Sequence, residues 1–378
     1  MPYRQPLVAT LAAVPGLSLS VWADFSKAVP ESALPCATHQ APTATLGPFC
    51  WQTGSIRAAK ATGAGVVVLS WNSRSLDLSF ALRAARHRGV GTILWGHGFG
   101  KRSPWFGDRT RIRTARRADA VLVYGPSMRH RVIEMGIPAE RVFAAPNAID
   151  QAAISEAARG WQSRPEDLAA FRREQRLDGP VILYLSRLEP DKHPSLLVEA
   201  LATVARASPD VTLVLIGDGS ARAEVEAAVD RCGVRERVRF AGAVYEEDRI
   251  APWALSASLL VHPGGIGLSL MHAFGYGLPV LTTDRMTLHG PEVEILEEGR
   301  NGRFFRHGDA DDLAARILGL LGDDDRRRAM SAAALATVTG PNGRNIEAMV
   351  AGFVEAIDFA AARHGRRREV GTEAPSGR

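Results

Sequence analysis

His262-Pro-Gly-Gly-Ile-Gly-Leu-Ser-Leu-Met-His-Ala-Phe-Gly-Tyr-Gly-Leu-Pro-Val280 is the stretch whose reading decides the fold. It reads as a glycine-rich turn running into a short helix, with a strand starting at Leu278-Pro279-Val280-Leu281. Glycines 264, 265 and 267 let the main chain approach a ligand closely. The orphan N–H groups of a helix start, together with the helix dipole, favour an anion. The candidate contacts are Gly264, Gly265, Ile266, Gly267, Leu268 and Ser269, although a lone glycine loop also serves a plain tight turn. Upstream, Ser186-Arg187-Leu188-Glu189-Pro190-Asp191-Lys192 places two cations just after a strand. An arginine, a lysine and a glycine-lined helix start together point to a bound diphosphate.

Around this stretch, short apolar runs alternate with helical spacing. Val181–Leu185, Val211–Ile216, Val238–Phe240 and Leu259–Val261 read as strands. Helices are expected over 195–207, 221–232, 311–321 and 325–338. An earlier half repeats the pattern, with strands at Val66–Ser70, Thr92–Trp95, Ala120–Tyr124 and Val142–Ala145 and helices over 77–88, 109–117 and 127–135. Strand–helix alternation predicts parallel sheets covered on both faces. The expectation is an α/β protein of two doubly wound halves: residues 1–150, a linker over 151–178, and residues 179–340. A last helix over 341–363 crosses back to the first half, and the tail 364–378 reads as disordered. In open parallel sheets ligands sit beyond the C-terminal strand ends. The loops carrying Arg187 and Lys192, Gly217-Asp218-Gly219 and the 264–269 turn all lie on that edge, so they converge on one site.

The chain has 378 residues, 46% of them hydrophobic and 23% charged, which is globular composition with length for two cores. No window reaches the roughly 18 uninterrupted apolar residues of a membrane span. Cys36, Cys50 and Cys232 are few, odd in number and widely spaced. They fit neither a disulfide framework nor a zinc site, and suit a reducing cytoplasm. No apolar signal core follows the N-terminus, so the expected location is the cytoplasm, extending to the inner face of the membrane. The net charge of +5 suits phosphorylated substrates or anionic lipid, and no nucleic-acid module accompanies it.

These motifs resemble a GT-B glycosyltransferase of the retaining family-four, or group 1, type. Tyr184-Leu-Ser-Arg-Leu188 with Lys192 is similar to the family's Gly-Arg-Leu…Lys segment. Leu215-Ile-Gly-Asp-Gly219 matches its "IGDG" loop, Val238-Arg-Phe-Ala-Gly242 its "VxFxG" strand, and Pro146-Asn-Ala-Ile-Asp150 its "PNGVD". The resemblance covers roughly residues 90–335. It implies two Rossmann-like domains with a cleft between them, the acceptor on the first and a nucleotide-diphosphate sugar on the second. The implied reaction is hexosyl transfer with retention of configuration, without metal or other cofactor. Arg187 and Lys192 would neutralise the leaving diphosphate, and closure of the halves would exclude water.

Two departures stand out. The family carries two glutamates with seven residues between them, and here those positions are Gly264 and His272. A subgroup with a PGxxGLSxxHA pattern and a later Pro-Glu pair resembles this chain in the same respect. His272 is therefore a candidate ribose contact or a satisfied helix histidine. Glu292, ahead of Glu294, is the candidate to return a carboxylate. The second departure is an opening strand that is absent before Pro2-Tyr-Arg-Gln-Pro6, a segment similar to the one that follows it in the family. His97, in Trp95-Gly-His-Gly-Phe99, is a catalytic candidate at a strand end or a plain turn residue. Lys101, Arg102, Arg109, Arg111, Arg113, Arg116 and Arg117, beside Trp105 and Phe106, suit anionic lipid or a lipid-linked acceptor, or a solvated helix face. The partners expected are a nucleotide sugar and a carbohydrate, lipid-linked or small-molecule acceptor. The rival readings are a catalytically inactive binding protein on this fold and another GT-B enzyme such as a nucleotide-sugar epimerase.

Overall fold

The computed structural model describes residues 4–25, 34–97, 105–340 and 343–365, the side chains of 105–107 excepted. Lys101, Arg102, the side chains of Trp105 and Phe106, and the tail from 366 lie outside the described residues. The chain divides into two compact units, one of residues 1–147 with 346–378 and the other of residues 148–345.

Unit 1 opens with helix α1 (Gln5–Ala12), a parallel pair β1 (Ser20–Ala23) and β2 (Ala37–Gln40), and an antiparallel hairpin β3 (Thr43–Leu46) and β4 (Phe49–Gln52). Helix α2 (Thr53–Lys60), β5 (Val66–Ser70), α3 (Leu78–His87), β6 (Gly91–Trp95), α4 (Trp105–Ala115), β7 (Ala120–Val123), α5 (Pro126–Glu134) and β8 (Val142–Ala144) follow. The last four strands make a parallel sheet in sequential order, β5-β6-β7-β8, with β5 at the edge. No strand precedes α1 among the described residues, and β1 and β2 pair only with each other. Strand β7 is buried along its whole length, as a strand covered on both faces must be.

Unit 2 begins with α6 (Gln151–Gln162) and α7 (Pro165–Glu174). This corrects the expected linker over 151–178. Asp150 caps α6 by accepting from Ala152 N and Ala153 N. The two helices are built into the unit through α10 (Glu247–Ser256), a helix that the apolar spacing did not reveal. Pro252 sits inside α10 and cannot donate to Asp248 O four residues back. The indole N–H of Trp161 on α6 donates to that carbonyl instead, at 2.8 Å. A helix that looks broken in sequence is thus completed by its neighbour.

The other elements of unit 2 are β9 (Val181–Leu185), α8 (Pro194–Ala207), β10 (Thr212–Ile216), α9 (Arg222–Arg231), β11 (Val238–Gly242), β12 (Leu259–His262), α11 (Leu268–Gly275), β13 (Val280–Thr283), β14 (Gly302–Phe305), α12 (Ala310–Leu321) and α13 (Asp324–Thr339). The six strands form one all-parallel sheet in the order β11-β10-β9-β12-β13-β14. The order reverses between β9 and β12, which is where a doubly wound sheet opens a crevice at its C-terminal edge.

Helix α14 (Ile346–Ala362) returns to unit 1 and lies along its parallel sheet. Two glycines let it seat. A β-carbon on Gly352 of the helix would overlap Ala144 O of β8. One on Gly91 of β6 would lie 2.7 Å from Ala360 O. Asp119 fixes the far end, accepting from Thr92 N at 2.9 Å and contacting His364 Nε2 at 3.1 Å. Burial alone would raise the Asp119 carboxyl, but the hydrogen bonds from Thr92 and His364 outweigh it and hold the group below its ordinary value. Gly352→Val should lower stability by about 1–3 kcal/mol, the usual range for overpacking a filled interface. Urea melts of the variant and parent check this, and an unchanged midpoint would contradict the close helix–sheet contact.

Candidate functional site

The C-terminal edge of the unit 2 sheet is built by main chain packed directly on main chain. After β9, Leu188 N donates to Asp218 O at 3.0 Å, and after β10, Gly217 N donates to Gly242 O at 2.7 Å. Side chains cannot intrude there. A β-carbon on Gly217 would overlap Ser186 O, and one on Gly219 would overlap Leu188 O. The Gly217-Asp218-Gly219 turn is thus a packing device for the 186–188 loop. Asp218 is exposed, and its Oδ1 accepts from Gly219 N at 2.8 Å.

The 263–267 loop is held from both sides in the same way. A β-carbon on Gly264 would lie 2.5 Å from Asp191 O and 2.6 Å from Lys192 Cα, and one on Gly265 would overlap Leu288 O. Ile266 is fully buried; its N–H donates to His289 Nδ1 at 3.1 Å and its carbonyl accepts from Gly290 N at 2.8 Å. His289 Nε2 lies 2.9 Å from Thr283 O, which places the proton on Nε2 of a neutral ring and leaves Nδ1 to accept. These contacts divide the expected binding set in two. Gly264, Gly265 and Ile266 form the buried frame, and Gly267, Leu268 and Ser269 form its half-open face.

That face is the start of α11. Gly267 is its N-cap and has no side chain with which to satisfy the first-turn amides. Lys192 approaches from the β9 side, its Nζ donating to Gly265 O at 2.9 Å and lying 3.3 Å from Asp191. Its side chain is only 18% exposed. Arg187 follows the same strand, but its side chain is 76% exposed and lies 3.8 Å from Glu189. Lys192 is therefore fixed on the loop, while Arg187 stands on the same edge with its head group in solvent. Tyr184 steadies the turn between them by donating to Arg187 O at 2.9 Å, and burial pushes its phenol well above the usual range.

Glu292 is buried at the start of the short helical turn Pro291–Ile295. Its carboxylate packs over Gly267 and Gly290: Oε2 would lie 3.7 Å from a β-carbon on Gly267 and would overlap one on Gly290. A carboxylate thus stands beside the α11 N-terminus, although position 264 carries none. Glu294 is half-buried on the same turn. His272, one turn further along α11, has Nε2 2.6 Å from Glu247 Oε1, and Tyr276 donates to Glu247 Oε2 at 3.0 Å. His272 thus has a side-chain partner on α10. His97 belongs to unit 1, where it follows β6 and its ring lies 4.5 Å from that of Tyr124.

Sequence reasoning missed His262. It is buried at the end of β12, its Nδ1 3.2 Å from Gly264 O and its ring stacked on Tyr184 at 5.5 Å. Burial, and then the charge of Lys192, push its imidazole down to about 3. Its only sequence signal was a histidine ending an apolar strand.

Two family models match the chain side by side, glycosyl transferases group 1 over residues 166–337 and glycosyltransferase family 4 over residues 32–153. The chain belongs to the group 1 glycosyltransferases. Its fold is GT-B, with two Rossmann-like units. A glycosyltransferase from Rickettsia africae superposes on 94% of this family member with a TM-score of 0.73 at 14% identity, and 93% of that chain is covered. Anabaena Alr3699/HepE, solved with UDP-glucose, covers 85% of each chain with a TM-score of 0.62 at 20% identity. Among curated relatives, a GDP-mannose-dependent alpha-(1-6)-phosphatidylinositol monomannoside mannosyltransferase of Mycobacterium tuberculosis is 29% identical over 208 residues. That match covers 52% of this chain and 53% of the relative, so the chain spans about half the length of the curated relative it matches.

Two predictions come from this geometry. Gly264→Glu, which restores the residue type usual in the family, should displace the 191–192 loop and destabilise unit 2 by at least about 1–3 kcal/mol, because its β-carbon has no space. A melting point equal to that of the parent would refute the packing. The second concerns acid. The unfolded chain protonates His262 near 6.5, whereas the folded form resists until about 3. The folded form thus binds fewer protons across this window, and stability falls as pH drops from 6.5 toward 3, by up to about 1.4 kcal/mol per pH unit. His262→Gln should lose less stability between pH 6.5 and 4.5 than the parent, as read by urea titration at each pH.

Proposed function

We propose that this protein is a glycosyltransferase that binds a nucleotide-diphosphate sugar on unit 2 and passes the hexosyl group, with retention of configuration, to an acceptor taken by unit 1. One observation carries the reading: Lys192 is fixed over the glycine frame beside an α11 N-terminus whose N-cap is a glycine. A diphosphate leaving group gains negative charge as the glycosidic bond breaks. An ammonium already in place and first-turn amides already oriented stabilise that charge with no reorganisation. Arg187, on the adjoining turn, adds a second cation once a ligand draws it in. Glu292 is the candidate for sugar hydroxyls at Gly267, and His97 for the acceptor. This charge compensation works without a metal.

The relatives support the donor class and suggest the acceptor class. HepE was solved with UDP-glucose, and the mycobacterial relative is a GDP-mannose-dependent enzyme whose acceptor is a phosphatidylinositol mannoside. A lipid-linked acceptor at an anionic membrane surface fits the exposed arginines 109, 113, 116 and 117 of unit 1.

UDP, GDP and their sugars should raise the melting point of the parent, because a ligand that binds only the native state stabilises it. Lys192→Ala should weaken that binding by roughly tenfold or more, since a charge-assisted contact contributes about 1.5–3 kcal/mol. Chelation with EDTA should change neither binding nor turnover. Equal nucleotide affinity in Lys192→Ala would remove the site assignment. Binding without hydrolysis or transfer of any donor would favour the inactive binding protein.

A further inference from the structure

The β3–β4 hairpin of unit 1 is folded with its apolar face outward. Leu46 and Phe49 are cross-strand partners, as are Ala44 and Trp51. Alternation along each strand puts all four on one face. That face is open to solvent: Leu46 is 77% exposed and Phe49 44%. The opposite face carries Thr43, Thr45, Cys50 and Gln52, and three of these, Thr43, Cys50 and Gln52, are the half-buried ones. The polarity is the reverse of an ordinary surface hairpin, which turns its apolar side to the core. The apolar face continues onto α3. The rings of Trp51 and Phe80 lie 5.8 Å apart, Phe80 is 58% exposed, and Leu76 is exposed one turn earlier.

The hairpin is fixed in this orientation. Gln52 N donates to Asp77 Oδ1 at 3.0 Å, Ser75 Oγ to the same oxygen at 2.7 Å, and Cys50 N to Arg74 O at 2.9 Å. The tip turns through Gly47, at φ +56°, and Pro48. Five large apolar side chains thus form a contiguous exposed patch of the kind that marks an interaction surface.

Charge identifies the occupant. Between Leu34 and His97 the sequence has six cations, Arg57, Lys60, Arg74, Arg83, Arg86 and Arg88, and one carboxylate, Asp77. Asp77 is fully buried, so every ionised side chain that this segment shows to solvent is basic. Arg83 lies one turn beyond Phe80 on the exposed face of α3, and Arg74 adjoins the hairpin. A second copy docked symmetrically would set these cations against themselves. A bilayer with anionic headgroups instead accepts the aromatic and leucine side chains at its interface and the arginines at its phosphates.

We propose that the β3–β4 hairpin and the start of α3 form a membrane-docking surface for anionic lipid. The proposal holds whatever unit 2 binds. The test is flotation of the full chain with vesicles of phosphatidylcholine alone and of phosphatidylcholine mixed equally with phosphatidylglycerol. The parent should float with the mixed vesicles only. Leu46→Ser with Phe49→Ser should reduce partitioning roughly tenfold or more. Arg74→Ser and Arg83→Ser should each reduce it roughly fivefold. Phe80→Ser, on a helix surface, carries the same expectation as the hairpin pair and guards against a hairpin that fails to fold, with melting curves confirming each variant. The proposal is overturned if the parent ignores anionic vesicles, if it floats equally with neutral ones, or if the apolar variants bind like the parent. It is also overturned if light scattering shows a dimer that those same substitutions dissolve while vesicles have no effect.

Discussion

Main chain stacked on main chain, with no space for a β-carbon between the layers, is the constraint on which the C-terminal edge of the unit 2 sheet depends. Gly217 lies on Ser186, Gly219 on Leu188, Gly264 on Asp191 and Lys192, and Gly265 on Leu288. Each contact brings the loop after one strand against the loop after another. Because the sheet order reverses between β9 and β12, these loops lie at the one edge where a parallel sheet leaves room for a ligand. Glycine is needed there less for freedom of turning than for thinness.

The side chains around that stack inherit its rigidity. Lys192 hangs from the segment that Gly264 touches, and its ammonium meets a carbonyl of the same glycine loop. His289 ties Ile266 to Thr283, so the loops after β12 and β13 move as one body. His262 is kept neutral by burial and by the lysine charge nearby, which keeps a second positive charge out of the frame. Loss of a carboxylate at position 264 therefore accompanies a tighter loop rather than a vacant one, and Glu292 brings its carboxylate to the rim from the neighbouring turn.

Much of this was legible in the sequence because apolar periodicity reports burial directly. Val66–Ser70 and Val181–Leu185 fall where the runs of Val, Ile and Leu put them, and most other boundaries of the two parallel sheets shift by one or two residues. The failures have physical causes. Helix α10 was hidden by Pro252, since its repair depends on Trp161 some ninety residues away in sequence. The α6–α7 region looked polar because only one stripe of α6 is buried and no residue of α7 is more than half-buried. At the site, the glycines signalled close approach but not what approaches. They read as ligand contacts, and in the structure Gly264 and Gly265 pack on protein backbone while residues 267–269 are half-buried. His272 and Glu247 could not be paired from sequence, because 25 positions separate them and no spacing rule links a helix start to the flank of a later helix.

The return of α14 to unit 1 makes the two units unequal in synthesis. Unit 2 is one uninterrupted stretch, residues 148–345, and all its strands and helices have been translated before α14 exists. Unit 1 has its sheet early, but the face around Gly91 and Ala144 stays bare until α14 leaves the ribosome. The nascent chain thus carries an uncovered apolar sheet through the whole manufacture of the second unit. That interval is when misassociation threatens it most, and when a chaperone would have the most to shield.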